Sequence, residues 1–246
     1  MKPINTLSFK DKINAYIKHP TSGLLALAVM ICAIATFAVL IFLIAYILIN
    51  GVPYLTPSLF ALEYTTENVS MLPSIINTVI MTLVALVISV PLGIFTAIYL
   101  VEYAKKGNKL VSIIGMTAET LSGIPSIVYG LFGMLFFVTT LKWGVSILAG
   151  AFTMSIMILP LIMRTTQEAL LSVSDSYREA SFGLGAGKLR TIFTIVLPAA
   201  IPGVLAGIIL AIGRIVGETA ALIYTAGSVA EIPQNLMSSG RTLAVH

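Results

Sequence analysis

Charged residues are scarce in this sequence. Asp, Glu, Lys and Arg together make up 10% of its 246 residues, whereas 58% are hydrophobic. An average soluble domain carries about 25% charged residues. A soluble globule of this length has too little interior to hide so much apolar surface. The composition therefore argues against a soluble protein with buried helices and favours a membrane protein.

Cysteine and histidine are almost absent. Cys32 is the only cysteine, so the chain can form neither an internal disulfide nor a cluster of thiolate metal ligands. His19 and His246 are the only imidazoles, which argues against a histidine metal site. Redox chemistry and a bound metal are therefore not expected of this chain.

Uncharged apolar runs are what the sequence does contain. A helix needs about 20 apolar residues to cross roughly 30 Å of hydrocarbon. Five such stretches hold no Asp, Glu, Lys or Arg: 24–49, 74–101, 120–141, 143–163 and 191–213. The first is longer than the core of a signal peptide, and we expect it to remain as a membrane anchor. The sequence thus predicts an all-α membrane protein, with a polar cytoplasmic segment at 1–23 and a membrane domain at 24–246.

The positive charges follow the positive-inside rule. With a cytoplasmic N-terminus, that side receives eleven of the 14 Lys and Arg residues: Lys2, Lys10, Lys12, Lys18, Lys105, Lys106, Lys109, Arg164, Arg178, Lys188 and Arg190. The outer side receives Lys142, Arg214 and Arg241. This distribution predicts the orientation, and it explains the net charge of +4 without a nucleic-acid partner.

A motif with fixed spacing lies in the hydrophilic loop 164–198. It consists of Glu179-Ala180-Ser181, three residues, Gly185, nine residues, and Ile195-Val196-Leu197-Pro198. The pattern resembles the EAA signature of ABC importer permeases, in which a short coupling helix docks into a groove of a separate ATPase. We expect Gly185 to permit a sharp turn and Pro198 to start the next helix; the alternative is a solvated amphipathic loop. The resemblance assigns ATPase coupling to Glu179, Ala180, Ser181, Gly185, Ile195, Leu197 and Pro198.

The same loop contains a glycine-rich run, GLGAGK at 183–188, that could suggest a phosphate-binding P-loop. A Walker sequence needs Gly five positions before the Gly-Lys pair and Ser or Thr after it. Phe182 and Leu189 occupy those places. We therefore expect no catalytic residue and no cofactor in this chain, with ATP and Mg²⁺ used by a partner ATPase.

Two i,i+4 pairs of opposite charge border or enter the predicted helices: Arg164 with Glu168, and Arg214 with Glu218. Ionisable side chains at membrane depth are costly and usually functional. We expect all four residues to line a substrate pathway. Two alternatives remain open. Arg164 could be an anchor at the inner face, and Arg214 with Glu218 could be a self-neutralising pair that lowers the cost of insertion.

Three further stretches resemble the phosphate-specific (Pst) ABC importer permeases, most closely their PstA-type subunit. They lie within 91–103, at 123–133 (GIPSIVYGLFG) and at 213–221 (GRIVGETAA). The resemblance implies a type I ABC importer (MetI-like) transmembrane domain in a bacterial or archaeal inner membrane, importing inorganic phosphate. It also implies three kinds of partner: a PstC-like permease, two copies of a PstB-like ATPase and a PstS-like periplasmic phosphate-binding protein.

The substrate and the helix count leave open questions. Phosphonate, molybdate or sulfate are alternative substrates, and an ATPase-independent transporter or a membrane scaffold is an alternative of another class. Permeases of the resembling family have six helices, whereas five apolar stretches are found. We therefore expect that the domain lacks a final helix and that the sequence is truncated.

Overall fold

The computed structural model describes residues 19–105, 107 and 109–246, with the side chain at 110 left aside. The regular structure of these residues is helical and includes no β-strand, in agreement with the predicted all-α class. The chain divides into two compact units, Met1–Pro57 and Ser58–His246. Most of the predicted cytoplasmic segment lies outside the described residues, as do Lys2, Lys10, Lys12, Lys18 and Lys106.

The described part of the first unit is dominated by one long helix. α1 runs from Pro20 to Gly51 over 32 residues and is followed by a 3-10 turn, Val52–Tyr54. Proline suits the first turn of a helix because its missing N–H would have no partner there. At about 1.5 Å per residue, α1 exceeds the thickness of a bilayer core. None of its residues, all of them described, is buried.

A 3-10 turn, Pro57–Phe60, precedes a membrane-length helix and then two helices that meet at a sharp bend. α2 spans Leu72–Ile98 and continues as a π-helical turn, Tyr99–Tyr103. α3 spans Lys109–Ser122, and α4 spans Ser126–Gly133 with a π-helical extension at Met134–Thr140. The pair is bent by 102° at the break between α3 and α4.

This break divides the third uncharged stretch, 120–141, between the end of α3 and the start of α4. Pro125 has an extended ψ of 141° and caps α4. Proline has no N–H to continue a helix, and it pushes the residue before it out of the helical region. The Tyr129 hydroxyl donates to the Leu121 carbonyl at 2.7 Å, so one carbonyl freed at the end of α3 is satisfied across the break. The start of α3 at Lys109 was also not expected, because 102–119 carries several charges.

α5, Ile147–Leu171, is the central helix of the second unit. The Ser146 hydroxyl caps it by accepting from the Ala149 N–H at 3.2 Å. In the most apolar 18-residue stretch of α5, 67% is buried. The corresponding share for α2 with its π-helical turn is 33%. Two clusters of buried side chains lie along it, one around Met154 and the other around Leu170.

Two short helices and one long helix follow α5. α6 spans Asp175–Gly183, α7 spans Lys188–Thr191, and a π-helical turn, Ile192–Val196, leads into α8, Leu197–Val216. Pro198 lies in the first turn of α8, as predicted, although the helical run is continuous from Lys188 to Val216. The π-turn changes the hydrogen-bond register just before Pro198, which has no N–H to donate.

α8 packs on α5 through small residues, as GxxxG spacing predicts. A Cβ added at Gly203 would lie 2.6 Å from the Ala169 Cβ, and one at Gly207 would lie 2.7 Å from the Thr165 Cβ. The two helices therefore approach each other closely at these two glycines. At Gly213, apart from its own helix, nothing in the described structure would lie within 4 Å of an added Cβ.

The end of the unit opposite to α6 is closed by α9, Ala220–Thr225, and by an irregular C-terminal segment, 226–246. The buried Asn77 amide of α2 donates to the carbonyls of Glu231 and Arg241 at 3.1 and 3.0 Å. The Ile147 N–H donates to the Ser238 carbonyl at 3.0 Å. Within the described residues, four helices and the bent pair are long and apolar enough to cross a membrane, which agrees with the five predicted spans.

Candidate coupling loop and charged residues

The short helix expected in the coupling loop is present. α6 follows Ser174, whose hydroxyl accepts from the Ser176 N–H at 3.4 Å. After α6 ends, the chain reverses through a turn in which Gly185 has a φ of +81°. This left-handed conformation costs an L-residue roughly 1–2 kcal/mol. The Gly185 N–H donates to the Phe182 carbonyl at 2.9 Å. The sharp turn predicted at Gly185 is confirmed.

One face of this loop presents apolar side chains to solvent. Leu184, at the tip of the turn, is 90% exposed, and Tyr177 is 58% exposed. Beside them lies a concavity of about 460 Å³, lined in part by Ala180 and Gly185. Exposed apolar side chains that lie together beside a concavity form a candidate surface for protein interaction. We refer to Tyr177, Glu179, Ala180, Leu184 and Gly185 as the docking face.

Ser181 faces the interior of the loop instead. Its side chain is 5% exposed and its Oγ lies 2.8 Å from the Thr191 Oγ1. The Thr191 hydroxyl is also placed to donate to the Gly187 carbonyl at 3.2 Å. Ser181 therefore ties α6 to α7. Of the remaining motif residues, Ile195 and Leu197 are half-buried and Pro198 is exposed.

Arg178 forms a largely buried ion pair with Glu102, at the end of α2. Its Nε and Nη2 donate to the Glu102 Oε1 at 3.1 and 2.7 Å. The two side chains are 13% and 8% exposed. Arg178 also donates to the carbonyls of Leu170 and Val173 at 2.9 and 2.8 Å, and to the exposed Asp175 at 3.1 Å. Every nitrogen of the guanidinium is thus engaged.

Arg164 does not pair with Glu168, although both lie on α5 at i,i+4 spacing. Its Nη2 lies 3.8 Å from the Glu119 Oε1 of α3, and both of these side chains are more than half exposed. Arg164 and Glu168 instead line a shared cavity of about 440 Å³, together with Lys105 and Gln167. The structure brings the two predicted residues to one cavity, at the end of α5 that leads into the coupling loop.

Arg214 and Glu218 do not form the expected i,i+4 pair either. α8 ends at Val216, so Glu218 is no longer one helical turn above Arg214. No ion pair joins them within 4.0 Å in the described structure. The Glu218 Oε1 accepts from the Ala221 N–H at 3.1 Å and fixes the start of α9. The half-buried Arg214 has no hydrogen-bond or ion-pair partner among the described residues.

Gly130 brings this turn close to α4. A Cβ added at Gly130 would lie 2.7 Å from the Ala221 Cα, so the backbones of α4 and α9 meet there. Tyr129, next to Gly130, is 4% exposed and lies within electrostatic range of Arg214. Arg214 lies in the last turn of α8, near Tyr129, and its donors have no partner among the described residues.

Comparison with known families decides what kind of protein carries this arrangement. The family described as "Binding-protein-dependent transport system inner membrane component" matches residues 89–242, a range that includes the hydrophilic loop and all four charged residues predicted to line a pathway. The chain belongs to this family. It is a multi-pass membrane permease, and the predicted MetI-like transmembrane fold is confirmed.

Several curated permeases are similar to this one. A "Probable ABC transporter permease protein YqgI" of Bacillus subtilis is 35% identical over 88% of this chain and 78% of its own length. A "Phosphate transport system permease protein PstA homolog" of Mycoplasma pneumoniae is 35% identical over 86% of this chain, which spans 33% of that protein. A "Phosphate transport system permease protein PstA 1" of Mycobacterium tuberculosis is 41% identical over 61% of this chain and 49% of its own length.

Two features of this permease were missed by sequence reasoning. The Arg178–Glu102 pair joins residues 76 positions apart, and no spacing rule connects them. Glu102 does lie within one of the stretches that resemble PstA-type subunits, which is the one available signal. Leu184 occupies a position that the EAA motif leaves unspecified, so its exposure became evident only with the structure.

Proposed function

We propose that this chain is the PstA-type permease subunit of an ATP-driven importer of inorganic phosphate. The docking face is the feature that carries the transport mode: an exposed Leu184 beside a left-handed Gly185, inside a complete EAA motif. Similarity to PstA proteins and the unpaired Arg214 guanidinium support phosphate as the substrate.

Energy enters through partner subunits in this proposal. A PstB-like ATPase, present in two copies, binds the docking face of this chain and the equivalent face of a PstC-like permease. Covering Leu184 removes apolar surface from water, which favours association. ATP and Mg²⁺ stay in the ATPase subunits, and this chain contributes no catalytic residue. A PstS-like periplasmic protein delivers phosphate from the outside, with the N-terminus of this chain in the cytoplasm.

Arg214 and Glu218 provide the chemistry that phosphate requires. A guanidinium offers a planar fork of donors that matches two phosphate oxygens. One Glu218 oxygen accepts from the Ala221 N–H, and the other can accept a hydrogen bond from the P–OH group of monohydrogen or dihydrogen phosphate. Sulfate, which carries no proton near pH 7, gains nothing from that acceptor. Arg164 and Glu168 would line the cavity through which the anion leaves.

Reconstitution of the complete transporter tests the proposal. The chain is co-expressed with its PstC-like, PstB-like and PstS-like partners and placed in liposomes, and the uptake of labelled phosphate and sulfate is measured with ATP inside or outside. We expect phosphate uptake that requires ATP on the side of the ATPase. Stimulation by molybdate or phosphonate but not by phosphate would reassign the substrate, and uptake without any ATPase subunit would overturn the transport mode.

A further inference from the structure

The coupling loop contacts the rest of the unit at a junction of three helices. Arg178 belongs to α6. Its guanidinium donates to the Glu102 carboxylate at the end of α2 and to the Leu170 carbonyl near the end of α5. Its Nη1 also donates to the Val173 carbonyl, in the link between α5 and α6. One side chain therefore fixes α6 relative to both transmembrane helices.

A second contact joins the other side of the loop to the neighbouring residue of α2. The Lys188 Nζ, at the start of α7, lies 4.8 Å from the ring centroid of Tyr103. This distance fits a cation–π interaction. Arg178 precedes the Gly185 turn and Lys188 follows it, so both arms of the loop contact adjacent residues of α2, Glu102 and Tyr103.

These two residues lie in the π-helical turn Tyr99–Tyr103. Short π-helical segments within α-helices occur frequently at functional sites, and they alter the helical register locally. The turn ends at Ala104, whose N–H donates to the Tyr99 carbonyl at 2.9 Å. A change in the position of α6 would therefore reach α2 at a local irregularity rather than within a uniform helix.

The Arg178–Glu102 ion pair is largely buried, so breaking it costs more than breaking a surface salt bridge. Exposed ion pairs contribute little to stability, whereas removing one partner of a buried pair leaves an uncompensated charge. In the described structure Glu102 has no other ion-pair partner. By contrast, Asp175, the second acid that contacts Arg178, is 86% exposed.

We propose that Arg178 and Glu102 are positioning residues that transmit displacement of the docking face to α2. Lys188 on Tyr103 supplies a weaker parallel contact. The proposal rests on the function proposed above, because it presumes an ATPase on the docking face. It adds the route by which ATPase movement reaches the transmembrane helices: through α6 and the π-turn of α2, in addition to the chain connections of the loop.

Glu102→Gln in the complete reconstituted transporter is the main test, with Asp175→Asn as the matched control. Both substitutions remove one carboxylate charge from the same guanidinium, one largely buried and one exposed. We expect Glu102→Gln to lower the phosphate transported per ATP hydrolysed by about five- to tenfold, because the buried charge loses its partner. Asp175→Asn should leave this ratio unchanged. The amount of co-purified ATPase should be normal in both variants, because the docking face is intact.

A second variant keeps the test informative if Glu102→Gln assembles poorly. Tyr103→Leu keeps an apolar side chain and removes the aromatic face under Lys188, and we expect a drop of about twofold in the same ratio. Normal transport per ATP in both variants would overturn the proposal while leaving the proposed function intact. Equal losses in Glu102→Gln and Asp175→Asn would overturn it as well. A wild-type complex that takes up phosphate without ATPase would instead remove the proposed function.

Discussion

At the scale of single residues, the candidate functional positions are distinguished by backbone conformation and by side-chain donors without partners. Gly185 illustrates the first: apart from its chain neighbours, nothing in the described structure would lie within 4 Å of a Cβ added there. Space is therefore available for a side chain, and the requirement for glycine comes from the φ of +81° alone. Arg214 illustrates the second, as a half-buried guanidinium with no partner among the described residues.

The Gly185 conformation leads to a first prediction. Gly185→Leu should destabilise the turn by roughly 1–2 kcal/mol, since an L-residue is strained at this φ, and should thereby disconnect ATP hydrolysis from transport. Gly183→Ala is the control, because Gly183 also faces open space but lies at the end of α6 without a positive φ. ATP hydrolysis and phosphate uptake are measured on the same preparation. Normal coupling in Gly185→Leu at normal expression would contradict a role for the turn.

The Arg214 site leads to a second prediction. Arg214→Gln should reduce phosphate uptake by roughly tenfold or more, since hydrogen bonds to a charged group contribute about 1.5–3 kcal/mol. Arg214→Lys should recover little, because an ammonium lacks the planar fork. Glu218→Gln keeps an oxygen that can accept from Ala221, so α9 should persist while discrimination against sulfate weakens. Uptake of labelled phosphate and sulfate measures both effects. A selective, active double variant with two apolar residues would show that these side chains only neutralise each other.

At the scale of helices, the sequence predicts most of the spans and misses what happens at their ends. α1, α2, α5 and α8 are found where uncharged apolar runs occur, because hydrocarbon selects for those runs. The bent pair was missed because α3 carries charges, and Pro125 interrupts an apolar run without adding a polar residue. The start of the helical run at Lys188 was not predicted for a related reason, because α7 begins outside the uncharged apolar stretch.

Asn77 provides a third prediction, concerning how the C-terminal segment is held. Its amide donates to two carbonyls of that segment, from Glu231 and Arg241. Asn77→Leu leaves both acceptors without this donor, at a cost of about 1–3 kcal/mol each if they remain buried. We expect the segment 226–246 to become sensitive to protease at lower temperature than in the wild type. Thr82→Val is the control, because the buried Thr82 hydroxyl has no partner among the described residues and its loss should be neutral or stabilising.

At the scale of the whole molecule, the two candidate sites lie at opposite ends of the second unit. The Arg214 turn lies towards the end closed by the C-terminal segment, and the docking face lies at the other. α2 and α5 run between these ends. The EAA motif predicted the short helix and the turn of the coupling loop because the motif residues are close in sequence. Contacts between distant residues, such as Arg178 with Glu102, follow from helix packing and could not be predicted from spacing.

Leu184 provides the last prediction, which concerns assembly. A leucine that becomes covered on binding contributes about 1.5–3 kcal/mol relative to an exposed one, so Leu184→Glu should weaken ATPase association by roughly tenfold or more. Leu62→Glu is the control: Leu62 is 67% exposed and precedes α2, at the opposite end of that helix from the coupling loop. The measurement is the amount of ATPase that co-purifies with the permease over a range of ATPase concentrations. Because Leu184 makes no buried contact in the unit, membrane insertion and detergent-solubilised yield should be normal in both variants. Wild-type affinity in Leu184→Glu would place the ATPase elsewhere on the molecule, and equal weakening in Leu62→Glu would point to a general effect of the added charge.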